Sequence, residues 1–277
     1  MLDFKIEEEK CIECGLCASD CPVGIIEMNP KPIIREEKEK NCLKCQHCLA
    51  ICPTTALSIL GKKPENSVST KAEMPSPEAI SRLIKTRRSI RKYKKENLDK
   101  TLIQELLDTA FYAPTGHNEN AVLLSVIDNS SDLSLFREKV YEAILTAKEN
   151  GSLAKKYNLL SVMQRIWAKN GKDIIFRDAP HLLIASAPSK GSSPEADCLI
   201  TLSYFELLAT THGIGTLWNG MIKWAINDID PSLRKLIGIP ENHTIGYVMI
   251  FGKPAVKYAR GIQSEGSQVN RISLLKK

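Results

Sequence analysis

The pattern of apolar and polar positions changes period along the chain and predicts helices and strands in turn. After residue 77, Ala79, Ile80, Leu83 and Ile84 form an apolar stripe with helical spacing. Further helical patterns cover residues 98–112, 132–150, 153–170 and 195–212, and short apolar runs typical of strands cover 121–128, 181–187 and 244–251. This order favours a mixed α+β body with helices around one sheet.

A polar segment without periodicity, residues 61–76, precedes this body. Its composition is typical of a domain linker. Ser76 followed by Pro77 is typical of a helix N-cap with proline at the first helical position. We therefore predict a small domain over residues 1–60, a linker over 61–76 and a second domain over 77–277.

The small domain contains a duplicated cysteine motif. Eight of the nine cysteines lie within residues 11–52, and Cys198 stands alone. The spacing Cys-x-x-Cys-x-x-Cys-x-x-x-Cys-Pro occurs twice, at an offset of 31 residues. The first copy consists of Cys11, Cys14, Cys17 and Cys21, and the second of Cys42, Cys45, Cys48 and Cys52. A duplication of this kind indicates two equivalent structural units.

The motif predicts two [4Fe–4S] clusters with crossed ligation. Three closely spaced thiolates can bind three corners of a cubane, and the cysteine before proline is placed to serve the other cluster. We therefore assign Cys11, Cys14, Cys17 and Cys52 to the first cluster, and Cys42, Cys45, Cys48 and Cys21 to the second. The apolar pairs Ile25–Ile26 and Ala56–Leu57 are expected to pack around the clusters.

Two other uses of dense cysteines fit less well. Zinc sites usually pair two Cys-x-x-Cys units across a longer spacer, and disulfide frameworks are typical of secreted scaffolds. The N-terminus lacks the basic and apolar regions of a signal peptide. No apolar run approaches the roughly 18 residues that span a bilayer. We therefore predict a cytoplasmic protein without a membrane partner, and we interpret His47 as a surface residue.

Residues 3–60 resemble the bacterial two-cluster ferredoxin, and their charge differs from that of the rest of the chain. Residues 1–60 contain 7 Lys or Arg and 10 Asp or Glu, which gives −3. Since the net charge of the chain is +6, the remainder carries +9. An acidic electron-transfer module beside a basic body is a plausible electrostatic pair. The basic run over 82–95 also raises the hypothesis of a DNA-binding sensor, but no recognition helix is found and we predict no nucleic-acid partner.

Three segments of the body have side chains suited to a phosphate-bearing flat cofactor. Arg87-Arg88-Ser89-Ile90-Arg91 offers several cationic donors and a hydroxyl, which can surround a phosphate. The alternative is a solvated basic run. Residues 113–120 form a predicted turn between a helix and a strand. Residues 213–220 lack the full dinucleotide pattern and are interpreted as a glycine-rich turn that approaches a flat ring.

In this order, the three segments resemble the nitroreductase family of FMN flavoproteins over residues 77–262. The resemblance implies that Arg87, Arg88, Ser89 and Arg91 hold the FMN phosphate and ribityl chain, with Arg260 near the phosphate. It implies that Pro114, Thr115, Gly116, Asn118 and Asn120 contact flavin across a dimer interface. It places Leu217, Trp218, Asn219 and Gly220 near the isoalloxazine edge. The family commonly has glutamine and proline where this chain has Asn120 and Ala121.

The two resemblances together imply an FMN-dependent oxidoreductase that acts as a homodimer. Electrons from a low-potential donor such as ferredoxin would pass through the two clusters to FMN. The reduced flavin would then reduce a small organic acceptor: a nitroaromatic, a quinone, an activated alkene or a halogenated ring. Because the family uses the flavin itself as the hydride donor, we name no catalytic side chain. The alternative is an electron-transfer protein that serves a protein partner. Cys198 is interpreted as a core thiol.

Overall fold

A computed structural model describes residues 2–274 of the 277. Met1 and residues 275–277, which the predicted domain ranges include, lie outside the described residues. The chain divides into two compact units. The first runs to Met74 and also contains Pro114–Ala121 and Gly191–Ser193; the second contains Pro75–Ala113, Val122–Lys190 and the chain from Pro194 onward. The boundaries at residues 60 and 77 stay a prediction.

The first unit repeats its backbone as it repeats its cysteines. Helix α1 (Leu16–Ser19) and helix α3 (His47–Ala50) are separated by the 31-residue offset of the motif, and helix α2 (Glu36–Glu39) lies between them in sequence. Strand β1 (Lys5–Ile6) pairs antiparallel with β4 (Leu57–Ser58), and β2 (Ile26–Asn29) pairs with β3 (Lys31–Ile34). Helices α1 and α3 thus each begin one residue before the third cysteine of their motif.

An apolar core surrounds the cysteines of this unit. Cys17 and Cys48 are buried together with Leu2, Leu49 and Ile59. The four residues expected to pack around the clusters, Ile25, Ile26, Ala56 and Leu57, are all buried as well. Removal of these side chains from water is the main favourable term available to so small a unit.

The second unit is built on one sheet. Its helices are α4 (Pro77–Thr86), α5 (Lys100–Ala110), α6 (Ser130–Glu149), α7 (Asn158–Asn170), α8 (Pro194–Thr211), α9 (Gly220–Trp224) and α10 (Ser232–Leu236). Its strands are β5 (Leu123–Ile127), β6 (His181–Pro188), β7 (Gly215–Trp218) and β8 (His243–Gly252). The strands lie in the order β5-β6-β8-β7, and all neighbours are antiparallel. A π-helical turn, Ala225–Ile229, continues α9.

Both faces of the sheet are covered, which explains why β6 is apolar at nearly every position. Leu182 and Ile184 pack in a core that includes side chains of α6 and α7, whereas Leu183 and Ala185 pack in a second core with α5 and α8. Successive side chains of a strand point to opposite faces. A sheet between two helical layers confirms the predicted α+β body.

The predicted helices and strands of the body all exist, with shifted ends. Ser76 caps α4, where its Oγ accepts the Ala79 N–H at 3.2 Å. The helix expected over 153–170 begins only at Asn158, after a 3-10 turn over Lys155–Tyr157. The interpretation of residues 213–220 as a turn is wrong in part, because Gly215–Trp218 is the edge strand β7.

In the described part of the chain, no helix has both the length and the apolar character needed to cross a membrane. The predicted cytoplasmic location stays a prediction.

Candidate functional site

A cavity in the first unit brings together cysteines from both copies of the motif. It is lined by Cys11, Cys14 and Cys17 from the first copy and by Cys52 from the second. Ile6, Met28 and Leu57 contribute apolar walls. These four thiols are the set that the crossed assignment gives to the first cluster. The donor set and the apolar shell therefore fit a cubane, whose four irons each take one thiolate.

The backbone around the cysteines repeats an unusual conformation. Glu13 and Gly15 have φ of 56° and 71°, and their equivalents in the second copy, Lys44 and Gln46, have φ of 55° and 60°. Left-handed residues next to right-handed ones form concave nests of N–H groups, which suit anions and iron–sulfur sites. The sulfurs already accept such bonds: Lys44 N–H donates to Cys42 Sγ and Ala56 N–H to Cys52 Sγ, both at 3.3 Å.

The pKa values of the buried cysteines also reflect the grouping of their thiols. Burial and, to a lesser extent, the nearby thiols of Cys42 and Cys45 raise the pKa of Cys48 to about 12. Burial likewise raises the pKa of Cys17, with Cys52 and Cys14 adding to the shift. Ligation requires the thiolate, so cluster assembly must release protons here.

No group of three or more His, Cys, Asp or Glu among residues 2–274 is arranged to hold a metal ion. A cubane instead binds its thiolates one per iron, at separate corners.

In the second unit, the structure brings together two of the three segments that are predicted to bind flavin. Ser89 forms a parallel bridge with Thr216 of β7, and the Ile90 N–H donates to the Thr216 carbonyl at 2.9 Å. Gly215 is required by this approach, because a Cβ there would lie 2.4 Å from Cγ1 of Ile90. The Arg-Arg-Ser segment thus lies beside β7.

Glu206 organises this junction, and sequence reasoning missed it. Its carboxylate accepts Arg87 Nη1 at 3.1 Å, Thr216 Oγ1 at 2.8 Å and Trp218 Nε1 at 3.0 Å. Its side chain is only 9% exposed. The signal in the sequence was an acidic residue on the apolar face of a predicted buried helix, because a buried carboxylate needs a cationic partner. Glu206 therefore fixes one residue of the Arg-Arg-Ser segment and two residues of β7.

The remaining cations are available for a phosphate. Among the described residues, neither Arg88 nor Arg91 has a carboxylate partner within ion-pair distance. Arg260 lies in the same region of this unit, because a Cβ on its neighbour Gly261 would be 2.5 Å from the Lys85 carbonyl, just before Arg87. Two unpaired guanidinium groups and the Ser89 hydroxyl fit a phosphate monoester.

The four residues predicted to lie near the isoalloxazine edge differ from one another in burial and contacts. Leu217 and Trp218 are half-buried at the end of β7. Asn219 is buried and acts as the N-cap of α9, accepting the Ile222 N–H at 3.1 Å and donating to the Ile175 carbonyl at 2.7 Å. Gly220 lies close to the Tyr247 hydroxyl. Asn219 therefore supports the backbone here, and its flavin contact stays a prediction.

The third segment predicted to bind flavin belongs, from Pro114 onward, to the first unit. Thr115 Oγ1 accepts the Asn120 N–H, and Asn120 Nδ2 donates to the Asn118 carbonyl, both at 3.0 Å. Gly116 packs against Ser192 and Ser193, since a Cβ there would lie 3.0 Å from both side chains. Pro114 is the first residue of the stretch Pro114–Ala121 that belongs to this unit, which we call loop 114–121, whereas Ala113 belongs to the second unit. The loop has a defined internal structure, and its contact with flavin stays a prediction.

Residues 84–253, more than half of the chain, match the sequence model of the nitroreductase family. The chain belongs to the nitroreductase family. Residues 10–57 match the 4Fe-4S dicluster domain, so this nitroreductase has an N-terminal domain of the predicted ferredoxin type. It is therefore an oxidoreductase of the nitroreductase type, as the sequence predicted.

Similar proteins support the same assignment. The chain is 28% identical over 177 residues, which is 62% of this chain and 75% of the relative, to a Methanothermobacter thermautotrophicus protein named as a candidate NADH dehydrogenase/NAD(P)H nitroreductase. An FMN-bound nitroreductase from Bacteroides fragilis has a TM-score of 0.55 at 22% identity, covering 71% of this chain and 98% of that one. One from Desulfitobacterium hafniense has a TM-score of 0.53 at 21% identity, covering 69% and 98%. These two likenesses confirm the predicted fold.

Proposed function

We propose that this nitroreductase binds FMN and two [4Fe–4S] clusters, and passes electrons from the clusters through FMN to a small organic acceptor. The observation that carries the proposal is the cavity that joins Cys11, Cys14 and Cys17 to Cys52 in a chain that also belongs to the nitroreductase family. When bound, clusters carry single electrons and flavin converts between one-electron and two-electron chemistry. The acceptor would be a nitroaromatic, quinone, activated alkene or halogenated ring.

The chain's own residues would hold and position the flavin. Arg88, Arg91 and Ser89 would bind the phosphate, since they offer unpaired charge and a hydroxyl beside β7. Arg87, held by Glu206 at 3.1 Å, would keep a fixed guanidinium next to them. In the proposed homodimer, loop 114–121 would contact flavin across the dimer interface. The FMN-bound relatives and the unpaired cations support this part of the proposal.

Replacing Arg88 with alanine should weaken FMN binding. Loss of a charge-assisted hydrogen bond removes roughly 1.5–3 kcal/mol, which is about 10- to 100-fold in affinity. The measurement is fluorescence titration of the apoprotein with FMN. Arg165→Ala on the exposed face of α7 is the matched control and should leave the affinity unchanged. Equal affinities in wild type, R88A and R165A would mean that the Arg-Arg-Ser segment is only a basic surface.

The identity of the acceptor distinguishes an enzyme from an electron carrier. Anaerobically reduced protein, mixed with a panel of nitroaromatic, quinone, alkene and halogenated compounds, should have its flavin reoxidised by at least one class with formation of the reduced product. Flavin that reacts with none of them, and is reoxidised only by a redox protein, would contradict the enzyme proposal and support the electron-transfer alternative.

A further inference from the structure

A continuous chain of polar contacts links loop 114–121 to the second cysteine motif within the first unit. Asn118 Nδ2 donates to the carbonyl of Leu43 at 3.0 Å. Leu43 lies between Cys42 and Cys45, so the amide of Asn118 contacts the ligand loop itself. Asn118 and Leu43 are 75 residues apart in sequence.

The peptide group that Asn118 contacts also contacts a ligand sulfur. The Leu43 carbonyl and the Lys44 N–H belong to one peptide unit, and the Lys44 N–H donates to Cys42 Sγ at 3.3 Å. A hydrogen bond accepted at the carbonyl polarises the peptide and strengthens the bond its N–H donates. The links therefore run from the Asn118 amide, through one peptide plane, to a sulfur assigned to the second cluster.

The loop is built to hold Asn118 in this position. His117, Asn118 and Asn120 have φ of 49°, 55° and 48°, a left-handed conformation that non-glycine residues adopt only where other contacts hold them. Glu119 supplies such contacts, because its carboxylate accepts the Ser192 hydroxyl at 2.6 Å and the Ser192 N–H at 3.1 Å. These bonds lower the pKa of Glu119. His117 Nδ1 adds a contact with Ser192 Oγ at 2.8 Å.

We infer that Asn118 is a positioning residue for the second cluster, raising its reduction potential through Leu43–Lys44 and making it the cluster from which electrons leave toward flavin. This inference rests on the proposed function. Donors to a cluster sulfur favour the reduced state, which carries one more negative charge. Because the same loop is the one proposed to contact flavin, the second cluster is the one that the chain ties to the flavin-binding segment.

The electron balance of the transfer requires an external reductant. A low-potential one-electron donor, such as reduced ferredoxin, would return each oxidised cluster to its reduced state. Two successive one-electron transfers from the second cluster, with two protons from solvent, would give the two-electron reduced FMN. The second cluster would return to its oxidised state after each transfer.

The test is an EPR-monitored redox titration that resolves the two clusters in the holoprotein. Asn118→Asp keeps the side-chain size but removes the amide donor, and Asn118→Gly removes it while allowing the positive φ. Asn66→Asp is the matched control, because it adds the same charge at an exposed position of the first unit outside this loop.

Both Asn118 variants should shift the second cluster to a more negative potential and leave the first unchanged, whereas N66D should leave both clusters unchanged. In partly reduced protein, the share of the EPR signal that comes from the second cluster should also fall in N118G relative to wild type. Identical second-cluster potentials in wild type, N118D and N118G, or equal shifts of both clusters, would overturn the inference. A wild-type protein with a single cluster would instead contradict the proposed function itself.

Discussion

A Cys52→Ser variant is expected to lose the cluster of the other copy of the motif. Cys52 lines the cavity with Cys11, Cys14 and Cys17, and its thiol is one of those that raise the pKa of Cys17. A serine hydroxyl is a poor substitute for a soft thiolate ligand. Iron content after anaerobic reconstitution should therefore fall from about eight to about four per chain.

The spectra that remain decide between crossed and local ligation. EPR of the reduced variant should retain the signal of the cluster bound by Cys42, Cys45 and Cys48, and Cys21→Ser should give the reciprocal loss. Cys198→Ala is the matched control, because Cys198 is fully buried in the second unit beside Gly246. It should keep all of the iron. Loss of the second cluster in C52S, with the first intact, would contradict crossed ligation.

The sequence was sufficient for features set by local chemistry. The cap at Ser76, the proline at the start of α4 and the apolar runs of β6 and β8 depend on neighbours in the chain, so their patterns predicted the elements. The cysteine spacing likewise predicted which thiols share a cavity with Cys52, since the ligand geometry of a cubane is fixed.

Other features depend on contacts between distant segments. Strand β7 resembled a turn because Gly213 precedes it and Gly215 begins it. Gly215 is nevertheless required by the close approach of Ile90, which lies in the segment after α4. The role of Glu206 depends on its tertiary contact with Arg87, so the sequence alone did not indicate it. The bond from Asn118 to Leu43 joins loops 75 residues apart, and no periodic pattern indicates such a pairing.

The entry route of electrons is the second large effect that we expect. A built-in cluster module is unnecessary for a flavin reduced directly by hydride, and the chain lacks the dinucleotide fingerprint. Reduced ferredoxin should therefore reduce the flavin faster than NADH or NADPH does. The name of the Methanothermobacter thermautotrophicus relative mentions NADH and NAD(P)H, which makes the nicotinamides the necessary comparison.

The comparison needs a variant that lacks the clusters but keeps the full-length chain. Segments 114–121 and 191–193 belong to the same unit as the cysteine motifs, so deleting residues 1–62 would strip them of their packing. A Cys14→Ser/Cys45→Ser double variant removes one ligand from each predicted cluster instead. It should bind FMN as the wild type does, and dithionite should still reduce that flavin.

Stopped-flow bleaching of the flavin, with each donor on wild type and the C14S/C45S variant, tests the electron route from clusters to FMN most directly. We expect reduced ferredoxin to bleach the wild-type flavin faster than either nicotinamide, and to lose this ability with the double variant. Equal bleaching of both proteins by NADH or NADPH, with no bleaching of either by ferredoxin, would contradict electron entry through the clusters.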